Sequence, residues 1–319
     1  MTASPAIPAR RVRVAAITPL AEGVLRYDLV SADGRALPPF EAGAHIDVHV
    51  PLGPVRQYSL IRTAPGTEVY AIAVRRDEAG RGGSIALHDS LEKGTIFGIG
   101  APRQNFPLAA DAGESVFIAG GIGITPIQAM IFDLHARGAP WVLHYCARSR
   151  QHAAFADELA ALAPDRVHFY FGGEALLDVA ALLGNVPADA HVYCCGPAGL
   201  MGDVAAASAD RAPGRVHFEW FSAPAGEYGE KRPFEVELRS SGRTLTVPAD
   251  RTLLEVLRDN DIDLPSSCEE GICGTCEVRV LSGQAEHRDA ILTDAEREAG
   301  ETMMACVSRA QSDKLILDL

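Results

Sequence analysis

One stretch near the end of the chain decides the fold of its C-terminal part: Ser266-Ser267-Cys268-Glu269-Glu270-Gly271-Ile272-Cys273-Gly274-Thr275-Cys276-Glu277. Three cysteines stand here at the spacing C-x4-C-x2-C, and a fourth follows after 29 intervening residues. This is a ligand spacing of two-iron, two-sulfur (2Fe–2S) clusters. Thiolates are soft anionic donors, and four of them complete two tetrahedral irons bridged by sulfide. The spacing therefore predicts a cluster held by Cys268, Cys273, Cys276 and Cys306.

A zinc site and a disulfide pair are the two alternatives for these cysteines. Zinc ribbons favour two C-x2-C pairs, whereas this chain has one such pair and two outlying cysteines. Gly271 and Gly274 allow a tight loop whose backbone N–H groups point at the sulfurs. The spacing thus favours the cluster, and the preceding residues should supply its electrons.

The composition describes an ordinary globular protein. At 319 residues, with 47% hydrophobic and 22% charged residues, the chain can form two or three domains with ample core. It contains no run of ~18 apolar residues, which argues against a transmembrane helix. The first eight residues lack the basic region and apolar stretch of a secretory signal. Seven cysteines, including Cys146, Cys194 and Cys195 outside the cluster spacing, indicate a reducing compartment, so a cytoplasmic protein is expected.

The net charge of −13 argues against nucleic acid or an anionic membrane as a partner. The charge is uneven, because residues 232–319 hold 18 acidic and 10 basic residues, and the first 231 hold 24 and 19. The acidic C-terminal part is either a solvated surface or a docking face for a basic patch on a redox partner.

The first hundred residues predict an antiparallel β-barrel. Alternating or β-branched segments recur at about ten-residue spacing, with turn signals between them. One helix, Ser84–Leu91, is predicted before the last strand. The six predicted strands are Arg10–Thr18, Gly23–Ser31, His45–Val50, Val55–Arg62, Glu68–Arg76 and Gly94–Gly100.

The fourth strand carries Arg56-Gln57-Tyr58-Ser59. Alternation places Arg56 and Tyr58 on one face and the other two residues on the opposite face. About 25 residues later, Gly80-Arg81-Gly82-Gly83-Ser84 opens the helix, where free N–H groups and the positive end of the dipole can hold a phosphate. Alone, the tetrapeptide is equally compatible with an edge strand that carries a surface arginine.

The middle of the chain alternates strands and helices, which predicts a parallel, doubly wound α/β sheet with ligands at the carboxyl ends of its strands. The first strand runs into Gly120-Gly121-Ile122-Gly123-Ile124-Thr125-Pro126, in which glycines admit a pyrophosphate and Thr125 can cap the helix. Cys195-Gly196-Pro197 ends the fourth strand. Tight packing of strand on helix would also explain the glycines. The predicted elements are Ser115–Ala119, Pro126–Arg137, Trp141–Cys146, Ala153–Leu162, Val167–Phe171, Val179–Leu183, Ala190–Cys195, Pro197–Ser208 and Val216–Glu219.

These motifs resemble those of the ferredoxin–NADP reductase superfamily, which has R-x-Y-S on a barrel strand and G-G-x-G-x-T-P and C-G-P in its nicotinamide domain. The resemblance implies that Arg56 contacts the flavin phosphate, Tyr58 the isoalloxazine or ribityl chain, and Ser59 the ring near N5. Cys195 would lie near the nicotinamide. The other cofactor contacts it implies are Gln57, Ala73, Val74, Arg75, Gly82, Gly83, Ser84, Gly120, Gly121, Gly123, Thr125, Pro126, Arg148, Gly196 and Pro197.

The choice of dinucleotide is less clear from the residues. A carboxylate after the second strand usually bonds the ribose 2′-hydroxyl of NADH, whereas arginine admits the 2′-phosphate of NADPH. The corresponding stretch, Arg148-Ser149-Arg150-Gln151-His152, has no acid and leans towards NADPH. Related oxygenase reductases that use NADH also carry arginine here, so NADH is expected and NADPH stays possible.

The last third of the chain predicts a linker and a small α+β domain. A hairpin, Phe234–Arg239 with Thr244–Pro248, precedes a helix capped by Thr252, and the strands Glu277–Leu281 and Lys314–Leu317 follow the cysteine loop. This is the β-grasp layout of plant-type ferredoxins. His287 is expected to be a surface histidine.

The order flavin domain, nicotinamide domain, ferredoxin domain is similar to that of the phthalate dioxygenase reductase family. That resemblance implies domains at residues 1–108, 109–223 and 233–319, with a linker at 224–232. It also implies FMN as the flavin and stacking of Phe221 on it, with Glu219 as a nearby polar group. The implied partner is a Rieske-type aromatic oxygenase or O-demethylase component, with the reductase a monomer on its own.

The resemblance further implies electron transfer from the nicotinamide through the flavin to the cluster. Hydride transfer needs stacked rings rather than acid–base residues, so no side chain is expected to act as proton donor or nucleophile on the path near Ser59, Cys195 and Phe221. Two alternatives remain: a reductase for a haem monooxygenase or another redox partner, and a redox-sensing module.

Overall fold

The computed structural model of the chain describes residues 10–50, 54–63, 68–110, 113–173, 176–223, 228 and 230–319. Within these ranges the chain forms two compact units, of which the first ends at Glu219 and the second runs from Trp220 to Leu319. Residues 224–227 and 229 of the predicted linker lie outside the described residues, as do the first nine residues.

The first unit begins with a closed antiparallel barrel. Its strands pair in the order β4-β5-β2-β1-β6-β3, and β3 also pairs with β4, which closes the ring. The six predicted strands and the predicted helix are present, whereas the short β7 beside β3 was not predicted. The elements are β1 (Arg10–Ala21), β2 (Val24–Ser31), β3 (Ala44–His49), β4 (Val55–Ile61), β5 (Val69–Arg75), α1 (Gly83–Ser90), β6 (Ile96–Ile99) and β7 (Arg103–Gln104).

The barrel closes round alternate apolar residues of its strands. Val12 and Val14 of β1 are fully buried with Tyr27 and Leu29 of β2, each two residues apart as strand geometry requires. Ile46 of β3 joins the same cluster. This alternation also fixes the faces of β4, because its register with β3 pairs residue 58 with 46 and residue 59 with 45.

A five-stranded parallel sheet completes the first unit, in the order β10-β9-β8-β11-β12. The order reverses direction between β8 and β11, where open sheets of this kind bind ligands. All nine predicted elements are present, with ends displaced by at most a few residues. They are β8 (Ser115–Gly120), α2 (Ile124–Ala136), β9 (Trp141–Ala147), α3 (Ala156–Leu162), β10 (Val167–Phe171), α4 (Val179–Gly184), β11 (His191–Cys195), α5 (Ala198–Ala207) and β12 (Val216–Phe218).

The barrel and the parallel sheet share one hydrophobic core. Ile61 and Ala71 of the barrel lie in the same buried cluster as Ile127 of α2. At the predicted domain boundary the Ala109 N–H donates to the Tyr193 hydroxyl at 2.8 Å. Ala109, in the chain that joins the two sheets, is therefore hydrogen-bonded to the parallel sheet.

The second unit contains a mixed sheet in the order β14-β13-β19-β15-β17 and a small ribbon of β16 with β18. The predicted hairpin, Thr252 cap and last strand are present, and Thr252 forms a capping box with Glu255. A second capped helix, α7, and the short β16, β17 and β18 were not predicted. The elements are β13 (Phe234–Leu238), β14 (Arg243–Val247), α6 (Leu253–Asp259), β15 (Glu277–Ser282), β16 (Ala285–Glu286), α7 (Asp294–Ala299), β17 (Thr302–Met304), β18 (Arg309–Ala310) and β19 (Lys314–Leu317).

Two local predictions are wrong. Thr125 does not cap α2, because the helix already begins at Ile124 and the Thr125 hydroxyl instead donates to the Ile122 carbonyl at 3.0 Å. His287 is not a surface residue, since only 10% of its side chain is exposed and it lies beside the buried Asp289. No described helix is long and apolar enough to span a lipid bilayer.

Candidate functional site

The two glycine motifs of the parallel sheet meet at the carboxyl ends of β8 and β11. A Cβ placed on Gly120 would lie 2.5 Å from Pro197 Cδ, and one on Gly123 would lie 2.2 Å from the Cys195 carbonyl oxygen. Gly196 in turn lies against Gly120. The turns can approach this closely only without side chains. Gly121 and Ile122 of the turn are only half-buried, so a pyrophosphate could approach the turn itself.

Arg56 and the start of α1 form a second anion-binding arrangement, on the barrel. A Cβ on Gly83 would lie 2.6 Å from Arg56 Cγ, so the arginine lies directly on the glycine at the helix N-terminus. Gly82, which precedes the helix, has φ +81°. The Ser84 hydroxyl accepts from the Asp77 N–H at 3.0 Å and keeps its own proton for a ligand. A guanidinium beside free helix N–H groups fits a terminal phosphate.

The remaining residues of the β4 motif alternate as predicted. Tyr58 packs against the barrel core, and burial raises its pKa. Gln57 lies on the other face, with its amide nitrogen 3.2 Å from Asp47 Oδ1 and 3.4 Å from His45 Nε2. Ala73 and Val74 are buried in β5. These positions are compatible with flavin contacts, and the roles stay predictions.

Ser59, Cys195 and Glu219 lie together where the barrel meets the carboxyl end of β11. Ser59 is buried, and its hydroxyl donates to Glu219 Oε2 at 3.4 Å. The Glu219 N–H donates to the Cys194 carbonyl at 3.1 Å, which fixes the residue beside the end of β11. Burial raises the pKa of the Glu219 carboxyl to about 8, while the Ser59 hydrogen bond opposes the shift. Burial, and secondarily Glu219, raise the pKa of the Cys195 thiol, so both groups are neutral at pH 7.

Replacing Glu219 by glutamine is expected to remove a titration centred near pH 8. The pKa of the carboxyl in the folded protein lies above the usual 4.5. The contribution of the neutral carboxyl to the free energy of unfolding is therefore fully present below pH 4.5 and is lost as the pH rises through about 8. Infrared difference spectra between pH 6.5 and 9.5 should show loss of a protonated-carboxyl band in the wild type and not in E219Q. E92Q, at an exposed site, serves as the control. A wild-type band change that persists in E219Q would contradict the assignment.

A cavity of about 480 Å³ leads from the glycine turn of β8 to the loop after β9. Arg75, Gly121, Arg148 and His152 are among the residues that line it. A Cβ on Gly121 would lie 3.9 Å from Arg75 Nη1, so this arginine faces the turn. Cations on both sides of a glycine turn fit the pyrophosphate and the adenosine ribose of a dinucleotide.

In the second unit the three cysteines of the loop and Cys306 form two pairs. Cys268 is hydrogen-bonded to Cys273, and Cys276 to Cys306. Among the described residues, no group of three or more His, Cys, Asp or Glu side chains converges on one metal-ion position. Two pairs of thiolates would suit the two irons of a 2Fe–2S cluster.

Backbone N–H groups of the loop are directed at the sulfurs. The Glu270 N–H donates to Cys268 Sγ at 3.3 Å, and the Gly271 N–H is hydrogen-bonded to Cys306. Gly271 has φ +71°, and a Cβ there would lie 2.6 Å from Val307 Cγ2. The loop therefore needs glycine both for its backbone angle and for its close packing. Such N–H donors stabilise the negative charge of cluster sulfurs.

Comparison with known proteins agrees with this geometry. Residues 236–311 match the model of the 2Fe-2S iron-sulfur cluster binding domain. The chain is 44% identical over 313 residues to the phthalate 4,5-dioxygenase oxygenase reductase subunit of Pseudomonas putida, covering 97% of this chain and 96% of that protein. It is also 44% identical to a vanillate O-demethylase oxidoreductase of a Pseudomonas species, covering 97% and 99%. The chain belongs to the phthalate dioxygenase reductase family.

Two solved structures extend the similarity to the fold. Phthalate dioxygenase reductase, described as a modular structure for electron transfer from pyridine nucleotides to 2Fe-2S, matches with a TM-score of 0.72 and 40% identity over 97% of both chains. An intact type IV self-sufficient cytochrome P450 monooxygenase matches with a TM-score of 0.88 and 41% identity over 97% of this chain. The present chain spans about two fifths of that protein's length, 41%.

Members of the phthalate dioxygenase reductase family are oxidoreductases with flavin, nicotinamide and 2Fe–2S domains, and this chain is such an enzyme. The prediction that the chain uses a flavin, a nicotinamide dinucleotide and a 2Fe–2S cluster is therefore confirmed. The family resemblance drawn from the sequence motifs is confirmed as well.

The structure brings together most of the predicted cofactor residues of the first unit, in the four places described above. Phe221 belongs to the second unit and is 42% exposed, and its stacking on the flavin stays a prediction. Glu219 was expected only as a polar group near Phe221, and its contact with Ser59 was not predicted. Its position one residue after β12, at the carboxyl end of a parallel strand, is the signal that could have identified it.

Proposed function

We propose that this chain is the reductase component of a two-component Rieske-type aromatic oxygenase or O-demethylase. It would pass electrons from NADH through FMN to its 2Fe–2S cluster and on to the oxygenase. The observation that carries the proposal is the presence in one chain of a dinucleotide turn at the end of β8 and a loop with two pairs of cysteine sulfurs. The family relatives named above support the choice of partner.

The residues of the first unit act by positioning. When bound, FMN accepts the hydride of NADH and passes its two electrons singly to the cluster. Arg56 and Gly83 hold the terminal phosphate, and the glycine turn with Gly196 holds the dinucleotide. Ser59 and Cys195 bound the place where the rings stack, and the neutral thiol and carboxyl there add no charge at pH 7. The Glu219 carboxyl accepts a hydrogen bond from Ser59, although the hydride step itself needs no acid or base.

In the second unit Cys268, Cys273, Cys276 and Cys306 would hold the two irons of the cluster. The loop N–H groups would stabilise the negative charge of the thiolates. The β-grasp assignment, the domain limits at 1–108, 109–223 and 233–319 and the linker at 224–232 belong to the proposal. A monomeric state and a cytoplasmic location also belong to the proposal. The seven cysteines, none of which forms a disulfide, support the cytoplasmic location.

A second candidate is a reductase for a haem monooxygenase. The observation in its favour is the match of 97% of this chain to part of a self-sufficient cytochrome P450. Flavin and cluster sites would be the same in both cases, so the two candidates differ only in the electron acceptor.

Reconstitution tests the proposal. Purified holoprotein should oxidise NADH with ferricyanide, release FMN on denaturation, and support turnover of an aromatic substrate by a Rieske-type oxygenase. Rapid NADH oxidation would also exclude a redox sensor. Turnover with a haem monooxygenase and none with a Rieske oxygenase would favour the second candidate. Absence of NADH oxidation by protein that contains flavin and cluster would refute both.

A further inference from the structure

The loop after β9 lacks the carboxylate that usually selects NADH. Its residues 148–152 contain two arginines and a histidine and no acid. Arg148 is exposed and lines the cavity that begins at Gly121. A cation at this position attracts the 2′-phosphate of NADPH. The loop by itself would therefore favour NADPH, against the NADH of the proposed function.

A carboxylate reaches this cavity from the barrel instead. Glu22 stands in the turn between β1 and β2, beside Gly23, whose φ is +70°. The Glu22 N–H donates to the Gln151 carbonyl at 2.8 Å, which fastens the turn to the loop after β9. The side chain lines the same cavity as Gly121 and Arg148. The turn between β1 and β2 is far from β9 in sequence. It thus places a carboxylate next to the expected position of the ribose.

The contacts of Glu22 hold its carboxylate in place. Glu22 Oε2 lies 3.6 Å from His152 Nε2, and the other ring nitrogen of His152 lies 2.8 Å from Ser149 Oγ. The hydrogen bond with Ser149 orients the imidazole ring, and the ring nitrogen Nε2 therefore lies on the side of the Glu22 carboxylate. Glu22 is 66% exposed, so it retains acceptor capacity for a ligand.

The other two acids that line the cavity lie close to arginines. Asp77 Oδ2 is 3.9 Å from Arg75 Nη2, and Glu78 Oε1 is 2.6 Å from Arg76 Nε. Glu22 is the acid that contacts the loop after β9. The Glu22 carboxylate is therefore the negative charge that would face a group on the ribose 2′-position.

We propose that Glu22 is the specificity-determining carboxylate of the dinucleotide site, accepting a hydrogen bond from the ribose 2′-hydroxyl of NADH and repelling the 2′-phosphate of NADPH. This inference rests on the proposed function, since it assigns the dinucleotide of that site. The acid expected after the second strand is supplied by a barrel turn, and His152 positions it. Arg148 then contacts the pyrophosphate or ribose without selecting NADPH.

The test compares kcat/KM for NADH and for NADPH, with ferricyanide as acceptor, in holoprotein at low ionic strength. In E22Q, kcat/KM for NADPH should rise about tenfold and that for NADH fall about threefold, because one repulsive charge and one good acceptor are lost. The control E92Q removes an equal charge from an exposed site outside the cavity and should leave both values unchanged. Adding Arg148→Ala to E22Q should abolish the gain with NADPH.

Inhibition by adenosine 2′,5′-bisphosphate gives a readout that does not depend on hydride transfer. The inhibition constant should fall in E22Q and stay the same in E92Q. Added salt should reduce the preference of the wild type for NADH over NADPH, since salt screens exposed charges. Equal NADPH-to-NADH ratios in E22Q and the wild type would overturn the inference. Failure of the wild type to oxidise NADH at all would instead refute the proposed function.

Discussion

C273S is expected to retain NADH-dependent ferricyanide reduction and to lose cytochrome c reduction by at least about 100-fold, because serine is a poor iron ligand and the cluster is the one-electron exit. Ferricyanide can take electrons at the flavin, so the first unit stays active. Cys273 is hydrogen-bonded to Cys268, and loss of either member would remove one of the four thiolates that would hold the cluster. Stopped-flow and steady-state assays with both acceptors measure the effect.

The matched control is C146S. Cys146 lies in β9 of the first unit, outside the cysteine loop, and the substitution is chemically the same. Both activities should survive in it. Retained flavin absorbance in C273S shows that the first unit is folded. Loss of both activities in flavin-containing C273S would contradict an electron path in which the hydride reaches the flavin before any electron reaches the cluster.

G123A is expected to lower kcat/KM for NADH by about 100-fold, because overpacking at this site costs roughly 1–3 kcal/mol and displaces the pyrophosphate turn as well. Gly123 has φ −62°, which alanine adopts without strain. The effect is therefore steric. The added Cβ would lie 2.2 Å from the Cys195 carbonyl oxygen and 2.9 Å from the Gly196 nitrogen, both of them backbone atoms that cannot rotate away.

The control for this variant is G199A. Gly199 lies in α5, where a Cβ would meet nothing within 4 Å, so alanine should be tolerated. Flavin and cluster content should be unchanged in both variants. Dithionite-reduced G123A should still reduce cytochrome c at the wild-type rate, because chemical reduction bypasses the nicotinamide. An unchanged kcat/KM for NADH in G123A would contradict the place assigned to the dinucleotide.

Much of the fold could be predicted because its signals are local. Alternating or β-branched segments separated by turn signals predict the barrel strands, and Gly120, Gly123 and Gly196 mark turns whose need for glycine is steric. The cysteine spacing is also a local signal, since loop residues 268–276 are close in sequence.

Other features depend on contacts that are distant in sequence. The two-residue strands β16 and β18 exist only because they pair with each other. The helix α7 does have a local signal, the Thr293 and Glu296 capping box, but it is only six residues long. Glu22 and Glu219 are unremarkable acids in the sequence. Their importance arises from the fold, which brings one to the loop after β9 and the other to Ser59.

The direction of electron flow can be tested in one experiment on the holoprotein: anaerobic addition of NADH followed by low-temperature EPR spectroscopy. The expected result is the signal of a reduced 2Fe–2S cluster in the wild type, and no such signal in C273S, although the flavin absorbance bleaches in both. Complete bleaching of the flavin in the wild type, with no cluster signal after NADH and a full signal after dithionite, would contradict the proposed path from nicotinamide to the cysteine loop.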